Sequence, residues 1–133
     1  MSMFMGQRKA VGPASVFGTD VMITGGLVFS AGAVGEDEHG KLLDGTVRDR
    51  TKAAMHVVER RLATVGLDWT DVVHVTIYLS KYEQDFAAFN QAYAEGLPKD
   101  VPPPVTICVG VAALYAGTDV ELSVVAALRE TAA

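Results

Sequence analysis

The sequence predicts a small α+β domain: a mixed β-sheet with two helices on one of its faces. Three observations carry this reading. A length of 133 residues suits one domain, residues 1–133. Two segments repeat apolar residues at helical spacing, and five alternate them or run apolar at strand length. The order is hairpin, helix, strand, helix, strand, strand. Strand–helix–strand units cross over right-handedly, which places both helices on the same side of the sheet.

Val21 to Ile23 and Leu27 to Ala33 read as two strands around Gly25-Gly26, a pair that supplies the positive φ angles of a tight hairpin turn. Glu36 to Lys41 is a polar turn. The first helix follows, with Val47, Thr51, Ala54, Val58, Leu62 and Val65 on one stripe. Thr46 and Asp49 form a capping box with aspartate in the glutamate place, and Gly66 provides the left-handed stop. Val72 to Leu79 alternates: Val73, Val75, Ile77 and Leu79 make a core face, and Val72, His74, Thr76 and Tyr78 a mixed one.

The second helix carries Phe86, Phe89, Tyr93 and Leu97 on one face, a core stripe that ends at Gly96 and Pro98. Pro102-Pro103-Pro104 is a stiff lead into a strand over Thr106 to Val111, with Ile107, Val109 and Val111 on one face and Thr106, Cys108 and Gly110 on the other. Asp119 to Leu128 is the last strand, with Val120, Leu122, Val124 and Ala126 inward. The sheet face away from the helices is then expected to carry Thr106, Cys108, Glu121, Ser123, His74, Thr76 and Tyr78. A small, semi-polar face of that kind is best covered by neighbouring copies of the chain.

Composition narrows the function. Half the residues are hydrophobic and 8% aromatic, so the chain can pack a core. The net charge of -5 repels phosphate backbones, and no basic run offsets it, so no nucleic-acid partner is expected. The lone cysteine, Cys108, cannot close an intrachain disulfide, which suits a reducing cytoplasm. His39, His56 and His74 lack metal-ligand spacing, so no metal is expected. No segment has the apolar length of a membrane span, and Met1 to Ala10 does not read as a signal peptide. Gly25-Gly26, Gly32 and Gly35 make no phosphate loop, so no nucleotide cofactor is expected, and no Ser-His-Asp set is recognisable.

Several stretches resemble the RidA (YjgF-type) reactive-intermediate deaminases. Val11-Gly12-Pro13-Ala14-Ser15 is similar to that family's opening GPYS-type motif, and Val28-Phe29-Ser30-Ala31-Gly32 to its second strand. Asp85 to Tyr93 resembles its second helix, Pro103-Pro104-Val105-Thr106-Ile107-Cys108-Val109 its PPAR-x-C-V segment, and Val120-Glu121-Leu122 its last strand. These fall in family order over nearly the whole chain. The resemblance implies a six-stranded, chorismate-mutase-like fold and a homotrimer. In active members, clefts between subunits hydrolyse imines and enamines without a cofactor.

Carried over by position, Glu121 is the family's water-positioning glutamate, Cys108 its pocket cysteine and Asn90 its helix-two asparagine. Ala14 stands at the opening tyrosine, Ala31 at the serine before Gly32, and Thr106 at the arginine that grips the substrate carboxylate. Tyr78, on the mixed face, can offer a hydroxyl to the same cleft. A bidentate arginine gives charge-assisted bonds of about 1.5–3 kcal/mol each, whereas threonine offers one neutral hydroxyl. Losing roughly 3 kcal/mol weakens binding about a hundredfold. Two functions follow as expectations: hydrolysis of a small, preferably neutral imine or related carbonyl compound with Glu121 as catalyst, or a non-catalytic trimer that binds a small ligand or a protein. Cys108 reads as pocket wall rather than nucleophile, since no base is placed beside it.

Overall fold

The computed structural model describes residues 7–129. Its elements in chain order are β1 (Lys9–Ser15), β2 (Gly18–Thr24), β3 (Leu27–Val34), α1 (Val47–Ala63), β4 (Val72–Leu79), α2 (Tyr82–Gly96), β5 (Val105–Gly110) and β6 (Val120–Ala127). They form one six-stranded sheet in the order β1-β2-β3-β6-β4-β5. β4 and β5 run parallel, and every other neighbouring pair is antiparallel. The fold is α+β, as the periodicities require. β1 is a strand that alternation alone did not mark out.

Both helices are bounded as their sequences dictate. Thr46 accepts from the Asp49 amide while Asp49 accepts from the Thr46 amide, closing the box. Gly66, at φ +75°, takes the left-handed stop after α1. The α1 stripe Val47, Thr51, Ala54, Val58 and Leu62 is buried, and Val65 packs against the core from its edge. Gly25 and Gly26 both have positive φ in the β2–β3 turn.

Several expectations are corrected. α2 runs through Gly96 rather than stopping on it; a Cβ there would lie 2.7 Å from the Met55 sulfur, so the glycine admits α1. Phe86 is no core residue: it is 36% exposed and stacks on Tyr82 at 4.9 Å. In β4 the core face is Val72, Val75, Ile77 and Leu79. Val72 pairs with Ala126 and His74 with Val125, so Val73 is the extra residue of a bulge and turns outward.

The faces of β5 are reversed from the sequence reading. Thr106 pairs with Val75 and Cys108 with Ile77, both buried under the helices. Thr106 and Cys108 therefore face the helix side, and Val105, Ile107 and Val109 face away from it. Apolarity misassigned the strand because the face without helices is itself apolar there.

Arg50 of α1 ties the domain together at one end of β6. Its Nε and Nη2 donate to the two Asp119 oxygens at 2.7 and 2.8 Å, and its Nη1 donates to the carbonyls of Leu43 and Gly45. Asp119 is 8% exposed, and the Arg50 bonds hold its carboxyl below the usual carboxylate range. A lowered folded pKa stabilises the fold above the unfolded value near pH 4 and stops doing so as pH falls through it. Arg50→Met should cost about 2–3 kcal/mol in urea unfolding at pH 7 by stranding a buried charge, and the gap to wild type should narrow below about pH 4.

Candidate functional site

β6 lies between β3 and β4, so each of its outward side chains has a strand on both sides. Val120, Leu122, Val124 and Ala126 point into the core, and Glu121, Ser123, Val125 and Ala127 onto the open face. Glu121 registers with Tyr78 on β4 and Val34 on β3. The β3–β6 ladder slips between Ser30 and Ala33, because Ser30 pairs with Val124 and Ala33 with Leu122. The extra residue makes a bulge at Ala31–Gly32.

The bulge seats the glutamate. A Cβ placed on Gly32 would lie 2.6 Å from Glu121 Oε2 and 3.0 Å from its carboxyl carbon. The carboxylate occupies the space that any other residue at 32 would fill. Partial burial raises the Glu121 pKa above the usual glutamate value, and no ion pair with it occurs among the described residues. Such a carboxylate keeps its proton to higher pH than a surface one, which suits proton transfer.

The structure brings Glu121, Gly32, Ala31 and Tyr78 together and leaves the other candidates elsewhere. Thr106 and Cys108 sit on the helix side of edge strand β5. There Gly110 lies close against Tyr82, and the stacked Tyr82–Phe86 pair begins an exposed stripe of α2 that continues to Asn90. Burial raises the Cys108 pKa, so it stays a thiol, as a wall residue would. Ala14 is exposed on edge strand β1, three strands from β6 in the sheet order. His74 is half-buried on the open face.

The sequence did not single out Arg61. It donates from α1 to the Ala31 and Gly32 carbonyls, beside the bulge. Position within the α1 periodicity carries no signal for that, since the partners are main-chain atoms 29 and 30 residues earlier. Nor did it expose the apolar content of the open face, where Val105 is 67%, Ile107 52% and Phe29 41% exposed.

Residues 7–128 match the family model described as Endoribonuclease L-PSP. The chain belongs to that family, which includes the RidA and YjgF proteins. It is 31% identical over 100 residues to a RutC family protein of Pyrococcus horikoshii, covering 74% of this chain and 75% of that one. It is 29% identical over 118 residues to the 2-iminobutanoate/2-iminopropanoate deaminase of Homo sapiens, covering 88% and 81%. The crystal structure of RidA from an Antarctic Psychrobacter superposes with a TM-score of 0.78 at 26% identity, covering 87% of this chain and 93% of that one. No helix of this RidA-family chain, among the described residues, is long and apolar enough to cross a membrane.

Two outcomes follow for the Glu121 seat. Gly32→Ala should evict a flexible carboxylate at little cost, lowering the melting temperature by no more than about 3 °C. Glu121→Gln should raise it by about 2 °C at pH 7. A raised folded pKa means the protonated form is the favoured one in the fold, so the wild type loses stability as pH rises through that pKa. The gain from glutamine should therefore disappear below about pH 4, which thermal melts across pH would show.

Proposed function

We propose that this RidA-family chain hydrolyses a small, uncharged imine or enamine, with Glu121 managing the water and its protons. The observation that carries the reading is the Glu121 carboxylate, without an ion partner among the described residues and partly buried against the Gly32 bulge on an open sheet face. The relatedness to a protein named as an imine deaminase supports the class of reaction. In the proposed reaction, water adds its oxygen to the imine carbon as Glu121 takes one of its protons. That proton passes to nitrogen to give a carbinolamine; Glu121 then takes the hydroxyl proton and delivers it to the amino group as the C–N bond breaks, so a carbonyl compound and ammonia leave and the carboxylate is restored.

One chain does not hold all the candidate residues on one side. Glu121 lies on the open face and Thr106 and Cys108 on the helix side of an edge strand, so the site is read as shared. A second copy would bring its β5 rim, with Thr106, Cys108 and Asn90, against the first copy's Glu121. The apolar patch of Leu27, Phe29, Val105, Ile107 and Val109 would be covered in a homotrimer. Thr106 at the position of the family's arginine favours a substrate without a carboxylate. Ala14, exposed on β1, would contribute only from another copy. The acidic chain and its single thiol fit a cytoplasmic enzyme without a nucleic-acid partner.

Two imines made in place test this: 2-iminopropionate from an amino-acid oxidase, and an uncharged imine from an amine oxidase. Ammonia release above the spontaneous rate should favour the uncharged imine by about tenfold or more in kcat/KM, and Glu121→Gln should abolish it. Binding seen by thermal shift with no turnover of either would mark a ligand-binding trimer instead. Native mass spectrometry should give three copies. Ile107→Asp should shift that mass to one copy, and a monomeric wild type would refute the shared site.

A further inference from the structure

The β2–β3 ladder covers Val21–Thr24 against Leu27–Ser30 and goes no further. Beyond it, Arg61 takes the position a strand would hold. Its Nη1 donates to the Ala31 carbonyl at 2.7 Å and to the Gly32 carbonyl at 3.1 Å. The side chain is 16% exposed, and its Nε lies 3.9 Å from an Asp20 oxygen, too far for a tight pair.

Successive carbonyls alternate in direction along a regular strand. Here two in a row turn toward one guanidinium, which is what the bulge requires. No cis peptide occurs among the described residues. A planar trans peptide whose C=O points at Arg61 must point its N–H the opposite way. Those N–H groups belong to Gly32 and Ala33. Gly32 is the residue whose missing Cβ makes room for the Glu121 carboxylate.

We propose that Arg61 is a positioning residue for Glu121: it locks the Ala31–Gly32 bulge in the form that admits the carboxylate, and it polarises the two N–H groups directed away from it. The proposal rests on the reading of Glu121 as the acting carboxylate. A charged donor on a carbonyl strengthens the N–H across the same peptide, by about 10–30% per bond in cooperative networks. Ala33 pairs with Leu122 on β6, so the strengthened N–H groups act on the β3–β6 register that seats Glu121.

The test uses the full chain with Arg61→Met, Arg61→Gln and Arg61→Lys, read by amide NMR and by turnover of the amine-oxidase imine. Glutamine keeps a neutral donor, and lysine keeps the charge. In Arg61→Met the Gly32 and Ala33 amide protons should move upfield, and kcat should fall about tenfold or more with KM little changed. Arg61→Lys should recover part of both effects, and Arg61→Gln less. Unchanged Gly32 and Ala33 shifts in Arg61→Met, or a kcat loss that only follows the folded fraction, would overturn the proposal. If Arg61→Met does not fold, the lysine and glutamine variants decide: equal shifts and rates in both would overturn it. If wild type turns over no imine, the reading of Glu121 falls, while the amide shifts still judge whether Arg61 holds the bulge.

Discussion

A carboxylate sits where a side chain at residue 32 would begin, and much of this molecule's arrangement serves that contact. It needs glycine at 32 and a one-residue slip between β3 and β6. It also needs β6 held in fixed register on its other side, which β4 provides from Leu79 to Val72. Glu121 is thus carried by a strand paired on both edges, with buried valines and a leucine on its reverse face. A group mounted this way has little freedom beyond its own rotamers, which is the condition for holding a water in one place.

The sheet has two unlike faces. The helices cover one with a continuous core. The other carries Phe29, Leu27 and Ile107 beside Glu121, His74 and Tyr78. Hydrophobic side chains left in water at this density are costly for a single small domain. The same face bears Glu121, a partly buried carboxylate without an ion partner among the described residues. Apolar patch and candidate carboxylate therefore share a surface, and burying the first would also dry out the second. Dry surroundings strengthen every electrostatic contact the carboxylate makes.

Much of this was legible in the residues. The α1 stripe, its Thr46–Asp49 box, the Gly66 stop and the inward set of β6 follow from spacing alone, because each is buried against one side only. Legibility failed where that condition failed. β5 is an edge strand with apolar residues on the exposed face and Thr106 and Cys108 toward the helices, so hydrophobicity no longer said which way was in. Bulges hid the rest: Val73 and Ala31–Gly32 each add one residue, and one residue inverts a strand's faces. Glu121 could be named from its resemblance to the family pattern as a candidate for the acting group. Its seat could not, since that depends on a slip between β3 and β6.

The placement of charge bears on what such a site would accept. Arg50 is spent on Asp119, Arg48 and Lys52 on Glu95, and Arg129 on Asp68 and Asp71. Arg61 faces main-chain carbonyls from the helix side. The other rim candidate, Thr106, is neutral. A carboxylate-bearing ligand brought to Glu121 would meet a like charge, and two unit charges 4 Å apart repel by about 4 kcal/mol at an effective dielectric of 20. In the shared site proposed above, a neutral ligand would incur no such repulsion and could still accept a hydrogen bond, which fits an uncharged imine as substrate.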